Sequence, residues 1–274
     1  YSWYTPMKGS ADYRVTETCY RLLDATLGKQ DEQVRVIFCD TAENVAESDT
    51  VSYVYRTAKQ LQDRFPDRIA IECHNIWLDP DSVRNYSTTF NPATAENVKT
   101  KLKSTSVIIA GADYYRVYDH SEFFVFEDGN TSNLWAYNGE RKLAAGILHA
   151  IDGNDAPVAC LTNNHGEVFY DYELLYLLDD AGYSLRYIDL YKDPIPEGCR
   201  LIISYNPNSD LTVSDGVSAT SETDTLTDFL SDSGNTFLLF LEDGTPLQTP
   251  PTKEGSYYAI FAGLGRGNAL HARG

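Results

Sequence analysis

Basic side chains are scarce in this sequence: 22 Lys and Arg stand against 40 Asp and Glu, a net charge of −18 over 274 residues. Nucleic-acid binding rests on cations that neutralise phosphates, so no nucleic-acid partner is expected, and anionic headgroups would repel the chain. No apolar run reaches the ~20 residues of a bilayer-spanning helix. The start, Tyr1-Ser2-Trp3-Tyr4-Thr5-Pro6, lacks the basic-then-apolar order of a signal peptide, and a chain opening on Tyr is expected to be part of a longer one. Three catalytic signatures are missing: G-x-x-x-x-G-K-[ST], G-x-S-x-G and C-x-x-C. Gly263-Leu264-Gly265-Arg266-Gly267 opens no helix and follows no β-α-β unit, so it does not read as a phosphate loop. His74, His120 and His149 have no partner at metal-ligand spacing. Neither a cofactor nor a metal is expected.

The five cysteines, Cys19, Cys39, Cys73, Cys160 and Cys199, are odd in number. Cys39, Cys73 and Cys160 lie in or beside apolar strands, where a free thiol behaves as a small buried hydrophobe, so no disulfide is expected. Exported proteins usually avoid unpaired thiols, which weighs against an exported address.

What the sequence does have is a globular composition, 42% hydrophobic with 12% aromatic residues, and the length of two domains or one large one. Twenty tyrosines suit protein interfaces and carbohydrate stacking, and equally ordinary half-buried strands and helices. A leading segment and helix (1–30) is expected to precede an N-terminal α/β domain over 31–152. In that domain Val34 to Cys39 reads as a buried strand. Val51, Val54, Tyr55, Ala58, Leu61 and Phe65 recur at helical spacing until Pro66, and Ile69 to Trp77 returns as a strand. Asn91-Pro92 reads as a cap and first-turn pair, with Ala95, Val98 and Leu102 on one helical face. Strands at Ser106–Ala110, Tyr114–Tyr118 and Glu122–Glu127 have turns too short for helical crossovers and are expected to pair antiparallel. A helix carrying Leu143, Ala144, Ile147, Leu148 and Ile151 closes the domain. This order resembles a thioredoxin-like mixed sheet without redox cysteines.

Asp152-Gly153-Asn154-Asp155-Ala156-Pro157 is a cluster of turn formers and reads as the boundary; it lacks the offsets of a calcium loop. A second α/β domain, 157–274, then alternates strand 157–162, helix 168–181, strand 184–190, strand 200–205, helix 221–232 and strand 236–241, with an irregular tail after about 245. Short apolar strands alternating with helices imply a mainly parallel sheet covered on both faces. The turn Asn163-Asn164-His165-Gly166-Glu167 stands where the first strand hands over to a helix, at the carboxyl edge where open parallel sheets bind ligands. Asn163 or Asn164 as helix cap, Gly166 as backbone relief and Glu167 as dipole complement would account for most of it structurally. A ligand site there would use Asn163, Asn164, His165, Gly166 and Glu167, with Asn206 from the turn after the third strand. The turn is expected to face solvent. Ser204 and Ser209 read as cap or turn formers rather than nucleophiles.

His165-Gly166-Glu167, Ile195-Pro196-Glu197, Leu201-Ile202-Ile203 and the loop Pro207-Asn208-Ser209-Asp210-Leu211-Thr212 follow one another as in a known family. With them the chain resembles the extracytoplasmic region of the GldG-like, gliding-motility-associated auxiliary component of ABC transporters. The family usually has Gly where this chain has Asn164, and Asn is able to keep a left-handed turn. The resemblance implies a second unit similar to class I glutamine amidotransferase-like folds, an extracytoplasmic address with a membrane anchor outside this chain, and transporter membrane and ATPase subunits as partners. It implies no enzymatic activity: the chain would bind a protein partner or a cell-envelope ligand. Two other functions stay open, a carbohydrate- or anion-binding module, and a hydrolase or amidotransferase-like enzyme using His165 and Glu167. Convergent polar groups in a deep cleft would favour these two; a flat or filled site would favour the first.

Overall fold

The computed structural model describes residues 5–6, 13–27, 33–126, 134–152, 156–167, 172–209, 211, 221–241, 258–262 and 269–272. The chain forms two compact α/β units, one of Tyr1–Asn154 with Asp180–Gly182, the other of Asp155–Asp179 with Tyr183–Gly274.

The first unit runs β1 (Thr5–Pro6), α1 (Glu17–Leu27), β2 (Val34–Phe38), α2 (Ala42–Glu47), α3 (Val51–Arg64), β3 (Ile69–Cys73), β4 (Thr88–Asn91), β5 (Glu96–Lys99), β6 (Val107–Ala110), β7 (Tyr115–Tyr118), β8 (Phe124–Phe126), β9 (Leu134–Tyr137) and α4 (Gly139–Asp152). Its main sheet has the order β3-β2-β6-β7, with β2 parallel to β3 and the β2–β6 and β6–β7 pairs antiparallel. Side chains alternate across a strand. Val34, Val36 and Phe38 of β2 and Val107 and Ile109 of β6 therefore join one core with Leu23, Val54, Ala58, Leu61, Leu143 and Ile147 of the helices. Ile37 and Cys39, with Ile108 and Ala110, turn to the other face, against Val83 and Val117. Each fully buried Leu or Ile contributes about 1.5–3 kcal/mol relative to exposure.

Residues 91–102 depart from the expected helix. Thr88–Asn91 pairs antiparallel with Glu96–Lys99, and Asn91 spends its side chain on a turn, Oδ1 accepting the Ala93 N–H at 3.0 Å. Ala95 takes a left-handed φ of 52° and completes the reversal. The β-branched Thr88, Thr89 and Val98 then suit strands better than a helix. Thr89 ties the hairpin down by donating to the Val117 carbonyl at 2.7 Å. The strand from Ile69 also ends early, at Cys73, because Asn75 accepts the N–H groups of Trp77 and Leu78 in a tight turn.

The second unit runs β10 (Val158–Thr162), α5 (Tyr172–Asp180), β11 (Ser184–Ile188), β12 (Cys199–Tyr205), α6 (Glu222–Leu230), β13 (Thr236–Leu241), β14 (Tyr258–Ala262) and β15 (Ala269–Ala272). The sheet order is β11-β10-β12-β13-β14-β15, parallel throughout except for the antiparallel β14–β15 pair. β10 is buried along its whole length, as its unbroken apolar sequence requires. Val158 and Cys160 meet Leu226, Phe229 and Leu230 of α6 on one face. Residues 153–155 of the expected boundary turn 152–157, the first turn of the expected helix 168–181 and the Gly263–Gly267 segment lie outside the described residues.

All five cysteines are free, and every one but Cys73 is buried. Burial pushes the Cys19 and Cys39 thiols up to about 12, so neither is a thiolate at neutral pH. The Cys160 and Cys199 sulfurs lie 3.5 Å apart, and the Cys160 thiol is raised by its contact with Cys199 and by burial. No helix among the described residues is long and apolar enough to cross a membrane.

Candidate functional site

β10 and β12 are parallel neighbours with Leu161 opposite Ile203, so their carboxyl ends lie side by side. The loop after β10 carries Asn163 to Glu167; the loop after β12 carries Asn206 to Ser209. α6 follows β12 in sequence and, as the helix of a parallel crossover, begins at the same edge of the sheet, where Glu222 is its first residue. Three segments far apart in sequence thus converge.

The centre is His165. Its side chain is only 6% exposed, against the expectation of a solvent-facing turn. The reason is Glu222, whose side chain is 1% exposed and whose Oε1 lies 2.8 Å from His165 Nε2. The other ring nitrogen, Nδ1, lies 2.9 Å from Ser209 Oγ. Asn164 Nδ2 donates to the same Glu222 Oε1 at 2.5 Å. A carboxylate only accepts, so Nε2 carries a proton toward Glu222; in the neutral imidazole Nδ1 then accepts from the Ser209 hydroxyl. This assignment gives each of these donors an acceptor. Burying a carboxylate costs several kcal/mol unless it is paired and hydrogen-bonded, and Glu222 is both.

The backbone of His165 is clamped from two sides. Its N–H donates to Glu167 Oε2 at 2.7 Å, and its carbonyl accepts the Asn208 N–H at 2.8 Å. Glu167 is held in turn by Thr162 Oγ1 at 2.5 Å and Ser204 Oγ at 3.3 Å. Asn208 Nδ2 donates to the Gly166 carbonyl at 2.9 Å. Gly166 has φ 74°, so the left-handed residue of the turn is this glycine and not Asn164. Glu167 folds back on its own turn, where its carboxylate holds the His165 N–H, and the expected start of the following helix lies outside the described residues. Asn164 uses its amide on Glu222, while Asn163 is exposed and donates its N–H to the Ile188 carbonyl.

Of the residues expected at the site, Asn164, His165, Gly166 and Glu167 come together. Asn206 sits at the sharp turn leaving β12, with φ 50° and its N–H on the Phe240 carbonyl. Glu222, Thr162 and Asn208 were not expected there. Ser209 was expected only as a turn former. Glu222 follows Ser221 and precedes Asp224, so it reads as an ordinary acid in a capped first turn; the Ser221 side chain does accept from the Asp224 N–H.

Chemically the cluster is rich in acceptors. Two carboxylates, Glu167 and Glu222, stand against one imidazole, and Asn164 Oδ1 is buried with no hydrogen-bond partner among the described residues. An anion brought here would meet both carboxylates, at a cost of about 1 kcal/mol each in water and about 4 kcal/mol each near a protein surface at 4 Å. The arrangement suits a ligand that donates hydrogen bonds. Polar groups converge as a ligand site would require, and most of them are hydrogen-bonded to one another. A cleft of about 540 Å³ lies instead in the first unit, lined by Tyr13, Arg14, Tyr53, Arg56, Lys59 and Gln60 among others. Among the described residues no group of three or more His, Cys, Asp or Glu is placed to hold a metal ion. Comparison of the chain with protein-family models, with curated proteins and with solved structures returned no match.

Proposed function

We propose that this chain is the extracytoplasmic region of a GldG-like auxiliary component of an ABC transporter, and that its second unit recognises a protein partner or an uncharged, hydroxyl-bearing envelope ligand at the carboxyl edge of its sheet. One observation carries the reading. The two motifs most characteristic of the resemblance, His165-Gly166-Glu167 and the loop from Pro207, are hydrogen-bonded to each other through Asn208 and Ser209. Residues 44 positions apart therefore make one structure, which gives a physical reason for the motifs to occur together. The acceptor-rich surface favours a protein or polyol partner over a small anion. In this reading the first unit is a thioredoxin-like sheet and the second an amidotransferase-like one, and ATP hydrolysis belongs to another subunit. The test is affinity purification of the full-length protein from its native membranes. ATP-binding and permease subunits are expected to co-purify in fixed proportion; their absence from a preparation that retains the folded domain would refute the reading.

A further inference from the structure

A structural clamp explains why Glu222, Asn164 and Glu167 are buried around His165. It does not explain the far side of the imidazole. There the buried pair ends on the hydroxyl of an exposed residue: Ser209 is exposed, while the His165 and Glu222 side chains are 6% and 1% exposed. A clamp gains little from a serine whose other side is open to water, since an exposed hydrogen bond contributes about 0.5–1.5 kcal/mol at most. A base that needs to activate a hydroxyl requires this arrangement.

We propose that Ser209, His165 and Glu222 form a nucleophile relay for acyl transfer from esters. This goes beyond the recognition role above: it shares with it the contact between the two loops, and its own test is the reactivity of Ser209. Nucleophile and base are within hydrogen-bond reach at 2.9 Å, and base and orienting carboxylate at 2.8 Å. These are the two contacts that identify such a relay by geometry rather than by sequence order. The base is held in place. Glu167 fixes its N–H, Asn208 fixes its carbonyl, and Asn208 is the residue preceding the nucleophile. The conformationally strained position at the end of β12 is Asn206, whose amide is no nucleophile; the reactive hydroxyl comes three residues later. Among the described residues the backbone N–H groups of Ser209 and Gly166 have no acceptor, and in the proposed step they are the donors assigned to the developing oxyanion.

The step balances as follows. Ser209 Oγ forms a bond to the ester carbonyl carbon as its proton passes to His165 Nδ1. The tetrahedral adduct then expels the alkoxide, which takes that proton from His165 and leaves as an alcohol, so the ester C–O bond breaks and an acyl-serine remains. Water attacks the acyl carbon with the same proton path, releasing the carboxylic acid and restoring the serine. No redox partner is needed. The substrate class follows from charge: Glu167 and Glu222 disfavour an anionic acyl group, so the acyl donor is an ester of an uncharged acid. Glu222 acts through His165 and is a positioning residue.

The experiment treats the folded protein with a biotinylated fluorophosphonate, which reports activated serines by forming an Oγ–P bond with loss of fluoride, and maps the adduct by mass spectrometry. 4-Nitrophenyl acetate turnover is followed in parallel. The expected result is labelling at Ser209, lost in Ser209→Ala, with turnover falling about 10²–10⁴-fold in His165→Ala. Glu222→Asp should retain more labelling than Glu222→Gln at equal fold integrity, because charge and not mere hydrogen bonding is required. If His165→Ala does not fold, wild type against Ser209→Ala decides, since that serine is exposed. An unlabelled wild type, labelling confined to other residues, or turnover unchanged in Ser209→Ala would overturn the proposal.

Discussion

Replacing Glu222 by Ala removes the single acceptor shared by two donors, His165 Nε2 and Asn164 Nδ2. Each donor left without an acceptor in a buried site costs about 1–3 kcal/mol, giving a gross loss of about 2–6 kcal/mol. Two terms reduce it: the desolvation penalty of the carboxylate disappears, and Ala is the better helix former by a few tenths of a kcal/mol. A net loss of about 2–4 kcal/mol is expected, a large share of the 5–15 kcal/mol typical of a domain. Asp224 supplies the contrast. It lies in the same first turn of α6 but is exposed, so Asp224→Ala should cost no more than about 1–2 kcal/mol through the lost dipole interaction and the cap geometry. Urea unfolding followed by a probe in the second unit measures both. With m of about 2 kcal/mol/M, Glu222→Ala should lower that transition's midpoint by about 1–2 M. Equal, small shifts for the two variants would show that Glu222 is only a helix-end charge, and the description of a buried His165–Glu222 pair would be wrong.

Two further outcomes concern the first unit. His149 is lowered to about 4, chiefly by burial and then by the Arg116 guanidinium beside it, against 6.5 for the free side chain. Between these values the unfolded chain binds the proton and the folded one does not, so stability is full above about pH 6.5 and falls by up to about 3 kcal/mol as pH drops to 4. Melting of wild type and His149→Gln across this window checks it; the same slope in both would assign the acid sensitivity elsewhere. Ala95 holds a left-handed φ of 52° in the hairpin between β4 and β5. Ala95→Gly should therefore raise stability by about 0.5–1 kcal/mol, and a loss on denaturant titration would return this segment to the helix read from its sequence.

That segment shows how local pattern and tertiary structure part company. Ala95, Val98 and Leu102 follow helical spacing behind an Asn-Pro pair, a genuine start signal, yet Asn91 prefers to accept from its own loop and the threonines pair with the next strand. The second unit was more legible, because the buried stretches of its parallel strands, such as Val158–Leu161 and Leu201–Ile203, read as apolar runs. The candidate site was half legible. A polar turn at a strand end marks itself locally, whereas the partners of His165 lie 44 and 57 residues away, and nothing in a Ser-Glu pair opening a helix reveals that its carboxylate is buried against an imidazole. The solvent-facing histidine expected from the turn alone is buried for the same reason.

The account depends on the turn after β10 and the loop after β12 acting as one site, and a double-mutant cycle on His165→Ala and Ser209→Ala tests this most directly. Their side chains are in contact at 2.9 Å, so the two stability losses should fail to add by about 0.5–1.5 kcal/mol, with the double variant less destabilised than the sum of the singles. Losses that add to within about 0.3 kcal/mol would mean that the two motifs do not touch in solution, and both the recognition site and the relay built on them would fall.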